Sequence, residues 1–284
     1  MNFVKSGLAL VAGLACLMAG EARAQCATSC STVTPKHPVI LVHGRNDDAT
    51  RWDTLVSAWS ARGYTEGVNL FRFDMARDCG AKDFCAVLPG YAATFVNESY
   101  AKCLAAFIDK KVPCVNGSCP AVDLVAHSQG TVTARYYARF LANRTVDDLV
   151  VMSSPHNGIT NCGLVSGCAG VNPEDCPNSA FLRKLNGVAP EGDGSNDETP
   201  GATYLGPVHY ASVVSDGDTV VPPWCGGYFL VDPATKNGSN LDCRRPNYTV
   251  DADSSACFVA KIQHLVVPRD TNVIGFTYCE VNRD

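Results

Sequence analysis

Between Ala121 and Leu141 the chain runs from an apolar segment, Ala121-Val122-Asp123-Leu124-Val125, through Ala126-His127-Ser128-Gln129-Gly130, into a helix-like stretch from Thr131. A strand that becomes a helix over so few residues requires the two elements to pass close together, which the small residues Ala126 and Gly130 allow. A serine on such a turn has its hydroxyl pushed out at the edge of a sheet, so Ser128 is the candidate nucleophile. The same residues also fit a plain N-cap serine, and the choice between the two rests on three further segments.

The first is His37 to Asn46, a continuous apolar strand that ends in His43-Gly44. A fully apolar run suits a central parallel strand, and a turn after it can aim a backbone N–H at the serine. The N–H groups of Arg45 and Gln129 are the expected oxyanion donors; a simple strand-to-loop turn is the alternative. The second is Val208 to Val221, a strand that runs into a short acidic turn. Asp218, directly before Thr219-Val220-Val221-Pro222, is the preferred acid, whereas Asp216 beside Gly217 has the character of a turn former. The third carries His264, the last of six histidines and the only one downstream of both aspartates. It completes the chain order serine, acid, histidine.

These motifs resemble a known family. With Val42-His43-Gly44, Ala134-Arg135-Tyr136-Tyr137 and Ser153-Ser154-Pro155-His156-Asn157-Gly158, the chain is similar to secreted α/β-hydrolase lipases and esterases of the class 2, small bacterial type, whose serine turn is Ala-His-Ser-x-Gly. Phe181 to Asn186 and Asp197 to Gly201 extend the likeness, which spans 38–265. The resemblance implies an α/β-hydrolase fold and a Ser128-His264-Asp218 acyl-enzyme mechanism on an ester or lipid substrate, with no cofactor. Triacylglycerol lipase or carboxylesterase activity is expected. The alternatives are an extracellular polyester depolymerase of the polyhydroxyalkanoate type, and a binding protein that kept the fold and lost activity. Two stretches depart from the family: Arg45-Asn46-Asp47-Asp48 stands where many relatives have a glycine-rich turn, and Gln263-His264-Leu265-Val266 lacks the usual glycine before the histidine.

A basic start at Met1 to Lys5, an apolar run from Gly7 to Gly20, and Ala22-Arg23-Ala24 predict a signal peptide cleaved after Ala24. The remaining chain, 25–284, is expected to be one secreted domain with no stable membrane insertion. Loss of Lys5, Arg23 and Glu21 takes the formal charge from −5 to about −6, and no basic patch suggests nucleic acid. Without Cys16, 14 cysteines remain in the exported chain, enough for seven disulfides. Cys79 with Cys85 and Cys114 with Cys119 are plausible local pairs, while Cys162, Cys168 and Cys176 need at least one partner elsewhere. With no Cys-x-x-Cys pair zinc is not expected, and the acidic run from Glu191 to Glu198 does not match calcium-loop spacing. No metal site is predicted.

Periodicity predicts a helix over Thr50 to Arg62, a strand over Val68 to Asp74 and a helix over Tyr91 to Lys111. Next come a strand at 121–127, a helix at 130–142 and strands at 147–153 and 208–215, and Pro268 can open a last helix carrying Val273, Ile274 and Tyr278. Such alternation implies a mostly parallel sheet with helices on both faces, and therefore a disulfide-rich α/β fold. The Gly-, Asn- and Cys-rich segment 156–207 is expected to shape an acyl pocket, its cysteines favouring a fixed rim.

Overall fold

Six short strands form one parallel sheet in the computed structural model, which describes residues 26, 30, 34–81, 84–160, 162, 174–201, 208–230, 243, 254–259 and 261–283. The predicted signal peptide, Cys168, and 163–173 and 202–207 of the pocket segment lie outside the described residues. β1 (Val39–Val42) is buried at every position, as a strand covered on both faces must be. After a tight 3-10 turn capped by Asp48 comes α1 (Asp53–Ser60), which turns Leu55, Val56 and Trp59 inward. β2 (Leu70–Phe73), α2 (Met75–Cys79) and α3 (Val96–Lys111) precede β3 (Val122–His127), α4 (Gln129–Tyr136) and β4 (Val146–Met152). α5 (Ala180–Leu185), β5 (His209–Val214), β6 (Ser254–Phe258) and α6 (Thr271–Glu280) complete the order.

The strands lie in the order β2-β1-β3-β4-β5-β6, all parallel. Alternate side chains of β1 serve opposite cores. Ile40 and Val42 join the core that contains residues of α3 and α4, and Val39 and Leu41 join the one that contains residues of α1 and α6. This is the α/β-hydrolase arrangement that the sequence predicts. Because the strands are parallel, the turns after β1, β3, β5 and β6 all leave from one edge of the sheet, where such folds hold their ligands.

Several element boundaries differ from expectation. α3 begins at Val96 instead of Tyr91, because the distant Glu174 carboxylate accepts the N–H groups of Val96 and Asn97. The last helix begins at Thr271, with Asp270 accepting two of its N–H groups, while Pro268 sits in a preceding 3-10 stretch, His264–Arg269. The helix after Ser128 changes to a π-helical turn over Tyr137–Leu141.

Cys79 is bonded to Cys103, not to Cys85: α2 packs against α3, and this contact sets the pair regardless of sequence distance. Cys114–Cys119 forms as expected, Cys162 bonds Cys176, and Cys225 bonds Cys243. Cys26–Cys257 and Cys30–Cys279 tie the segment before β1 to β6 and α6 across separations of 231 and 249 residues. Loops that long gain the most from closure, ~5 to 6 kcal/mol in the chain-entropy account. Among the described residues no helix is long and apolar enough to cross a membrane.

Candidate active site

Ser128 occupies the single residue between β3 and α4, at φ 55° and ψ −131°. A non-glycine residue with positive φ is strained, and persists only where its surroundings impose it. Here two glycines do so. A Cβ on Gly130 would lie 2.4 Å from the His43 carbonyl oxygen, and one on Gly44 would lie 2.7 Å from the Ser128 Cβ. The strand-to-helix turn is thus pressed against the end of β1, with no room for a larger residue at either position. The Ser128 N–H donates to the Met152 carbonyl at 2.9 Å, and the Thr131 N–H donates to the Ser128 carbonyl at 3.0 Å. Thr131 Oγ1 in turn meets Ser154 Oγ at 2.6 Å, and Ser154 meets His156 Nδ1 at 2.6 Å, so the Ser-Pro-His segment after β4 braces the turn from behind.

Ser128, His264, Arg45 and Gln129 all line one cavity of about 180 Å³ at the C-terminal edge of the sheet. His264 Nδ1 lies 2.7 Å from Asp218 Oδ2, and both residues are buried. The second oxygen, Oδ1, accepts the N–H groups of Val220 and Val221 at 2.9 and 3.0 Å, which fixes the carboxylate plane. Burial opposes ionisation of Asp218, but the His264 hydrogen bond and charge and the Val221 N–H outweigh it and hold the carboxyl below its ordinary range. Asp216, by contrast, is exposed and accepts the Lys261 N–H, the turn-forming position that its Asp-Gly sequence suggests.

The sequence motifs assign no task to His127. Its Nε2–H donates to the His264 carbonyl at 3.0 Å, and the two rings lie 4.6 Å apart. Burial first, then the charges of His264 and Arg51, push its pKa well below the usual range, so the ring is a neutral donor. Arg51 Nη1 donates to the Leu265 carbonyl at 2.8 Å, so two successive carbonyls of the histidine loop are held. The only sequence signal for His127 is its place inside the serine turn.

The side chains of the two candidate oxyanion residues are linked. Arg45 Nε–H donates to Gln129 Oε1 at 3.0 Å, and its Nη2 pairs with Asp175 Oδ2 at 3.4 Å. Gln129 Nε2–H donates to Asn97 Oδ1 at 2.9 Å, and Asn97 Nδ2–H donates to Glu174 Oε2 at 3.0 Å. One largely buried polar chain therefore connects the loop after β1, the start of α4, the start of α3 and the Glu174-Asp175 pair. No spacing in the sequence could reveal it, since the partners are as far apart in the chain as Arg45 and Asp175.

Burial, with the neighbouring Asp175 charge, lifts the Glu174 carboxyl from 4.5 to about 7 against the hydrogen bonds from Asn97 and Val96. A raised carboxyl favours folding while protonated. Its contribution is complete below pH 4.5 and lost as pH rises through about 7. The melting temperature should therefore fall over that interval, and Glu174→Gln should flatten the fall; an unchanged slope in thermal melts across pH would refute this account.

The acidic run from Glu191 to Glu198 is laced internally. Asp193 takes the Ser195 N–H and hydroxyl and pairs with Arg139, Glu191 pairs with Arg183, and Glu198 accepts the Leu230 N–H. Its carboxylates face arginines and backbone donors rather than one another.

Residues 38–176 match the palmitoyl protein thioesterase family. No curated protein matches the sequence. Among solved structures, the chain is similar to an extracellular alpha/beta-hydrolase from a Paenibacillus species, with 13% identity and a TM-score of 0.49 over 88% of this chain and 100% of that one. It is also similar to carboxylesterase CesB from Bacillus subtilis, with 12% identity and a TM-score of 0.47 over 87% and 85% of the two chains. A lipase-esterase related protein from Clostridium acetobutylicum has 11% identity and a TM-score of 0.48, over 87% of this chain and 94% of its own. The family match takes in Arg45, Ser128 and Gln129 and ends before Asp218 and His264.

Proposed function

We propose that this chain is a secreted serine hydrolase that cleaves carboxylic esters, as a lipase or carboxylesterase, with thioesters of the same acyl groups as further substrates of the same site. The observation that carries the proposal is Ser128 held at positive φ on a cavity shared with His264, whose ring is fixed by Asp218. Ser128 Oγ attacks the acyl carbonyl while His264 takes its proton, and the N–H groups of Arg45 and Gln129 receive the developing oxyanion. When the tetrahedral adduct collapses, the bond to the leaving oxygen or sulfur breaks and His264 returns the proton to it. Water then attacks the acyl-serine, with His264 as base, and frees the acid and Ser128. Asp218 keeps the imidazole in the required tautomer and stabilises its charged form.

Export through residues 1–24 and a single domain over 25–284 fit the disulfide pairs, which need an oxidising compartment to persist. The family match at 38–176 adds thioesters to the esters suggested by the serine turn. A second reading, depolymerisation of an insoluble polyester, draws on one observation: Leu265 and Val266, next to His264, are 53% and 47% exposed, an apolar lip suited to a flat substrate.

The test is a substrate panel on the secreted, oxidised protein: p-nitrophenyl butyrate, p-nitrophenyl palmitate and palmitoyl-coenzyme A, together with fluorophosphonate labelling. Turnover of the soluble esters with label on Ser128 is the expected result. Labelling without turnover of any of the three would transfer the proposal to polyester films. Failure of both would leave a binding protein on a hydrolase fold.

A further inference from the structure

The opposite edge of the sheet carries a second cluster. β3 and β4 pair Val122 with Val146 but Leu124 with Leu149, so Asp147 and Asp148 together stand against the single residue Asp123. One extra residue on β4 is a bulge, which disturbs the alternation that sends neighbouring side chains to opposite faces. A carboxylate oxygen from each of Asp123, Asp147 and Asp148 lies within 4.8 Å of the other two. Asp123 is fully buried; its Oδ1 accepts the Asp148 N–H at 3.1 Å, but Oδ2 is buried with no hydrogen-bond partner.

The surrounding bases face the other carboxylates. His209 Nδ1 meets Asp148 Oδ1 at 2.9 Å, while its Nε2 faces Ser255, Glu280 and Arg283. His37 Nε2 lies 3.4 Å from Asp147 Oδ2. Lys36 acts on Asp123 only weakly. Burial and the Asp148 charge dominate and push the Asp123 carboxyl well above its ordinary range. A buried carboxylate oxygen with no donor is costly, and either a proton or a cation relieves it.

We propose that Asp123, Asp147 and Asp148 bind a hard divalent cation of the calcium type. Calcium takes carboxylate oxygens at 2.3–2.6 Å, so two ligands on one ion can stand up to about 5 Å apart, which the 4.8 Å cluster satisfies. An all-oxygen set disfavours zinc and copper, and the half-exposed Asp147 gives the ion a way in and room for water ligands. The ion joins β3 to β4 and, through His209, to β5, at the opposite end of β3 from Ser128. Its effect is on stability, not on ester turnover.

Terbium luminescence on chelator-treated full-length protein tests this, with aromatic excitation through Tyr64, whose phenol feels the charges of Asp123 and Asp148. Saturable emission displaced by calcium is expected, together with a melting temperature that falls with chelator and recovers with calcium. Asp123→Asn should weaken terbium binding about tenfold or more. Asp147→Asn, at a half-exposed position that spares the core, should do the same. Absence of saturable emission at millimolar terbium would overturn the proposal. So would emission unchanged in both variants, which would place the ion elsewhere, or an Asp123→Asn protein that is more stable and indifferent to calcium, which would mean that Asp123 carries a proton instead.

Discussion

Ser128→Ala should lower kcat on p-nitrophenyl butyrate by about 10⁶-fold and abolish fluorophosphonate labelling, while leaving the melting temperature close to that of the parent. The variant keeps the Cβ that Gly44 accommodates and removes only Oγ, so the turn at φ 55° is neither relieved nor further crowded. His264→Ala should cost a similar amount. The double variant should be little worse than either single one, because a nucleophile without its base and a base without its nucleophile are equally idle. Steady-state assays on purified protein, with melting curves beside them, decide the point. Retained turnover in Ser128→Ala would place the chemistry on another residue.

Such an experiment can be designed from the sequence because the chemistry of a serine turn is local. Strand, small residue, serine, small residue and helix are contiguous, and chain order then selects His264 and narrows the acid to Asp216 or Asp218. The buried strands β1 and β3 are legible for the same reason, as uninterrupted apolar runs. β6 is not. Ser-Ser-Ala-Cys-Phe has little strand propensity of its own, and the segment is a strand because it pairs with β5 and because Cys257 is bonded to Cys26. Nor is the Arg45, Gln129, Asn97 and Glu174 chain legible, since its members meet only after the sheet has formed. Cys79 shows the same limit: the nearest cysteine in sequence is Cys85, but the packing of α2 on α3 brings Cys103 to it.

The second large effect separates two aspartates that sequence alone leaves in competition. Asp218→Asn should lower kcat by about 10⁴-fold, and Asp216→Asn should change it little. An asparagine at 218 can keep the Val220 and Val221 N–H groups on its carbonyl oxygen, so the loop should hold its shape. It would, however, present an amide N–H or a neutral oxygen to His264 Nδ1, favouring the wrong tautomer and removing the charge that stabilises the imidazolium. Because the Asp218 carboxyl is held below its ordinary value of 3.8, its stabilising contribution is complete above that pH and lost only as pH falls through the depressed value. Titration of Asp218 should therefore leave no limb in the activity profile of the parent at or above pH 3.8. Asp216 has no comparable partner: it lies on the surface and accepts the Lys261 N–H, so its replacement should lower the melting temperature slightly before it touches turnover. If Asp216→Asn proved the more damaging of the two, the turn after β5 would have to reorganise on substrate binding, releasing Asp216 from Lys261 and displacing Asp218 from the histidine it now meets at 2.7 Å.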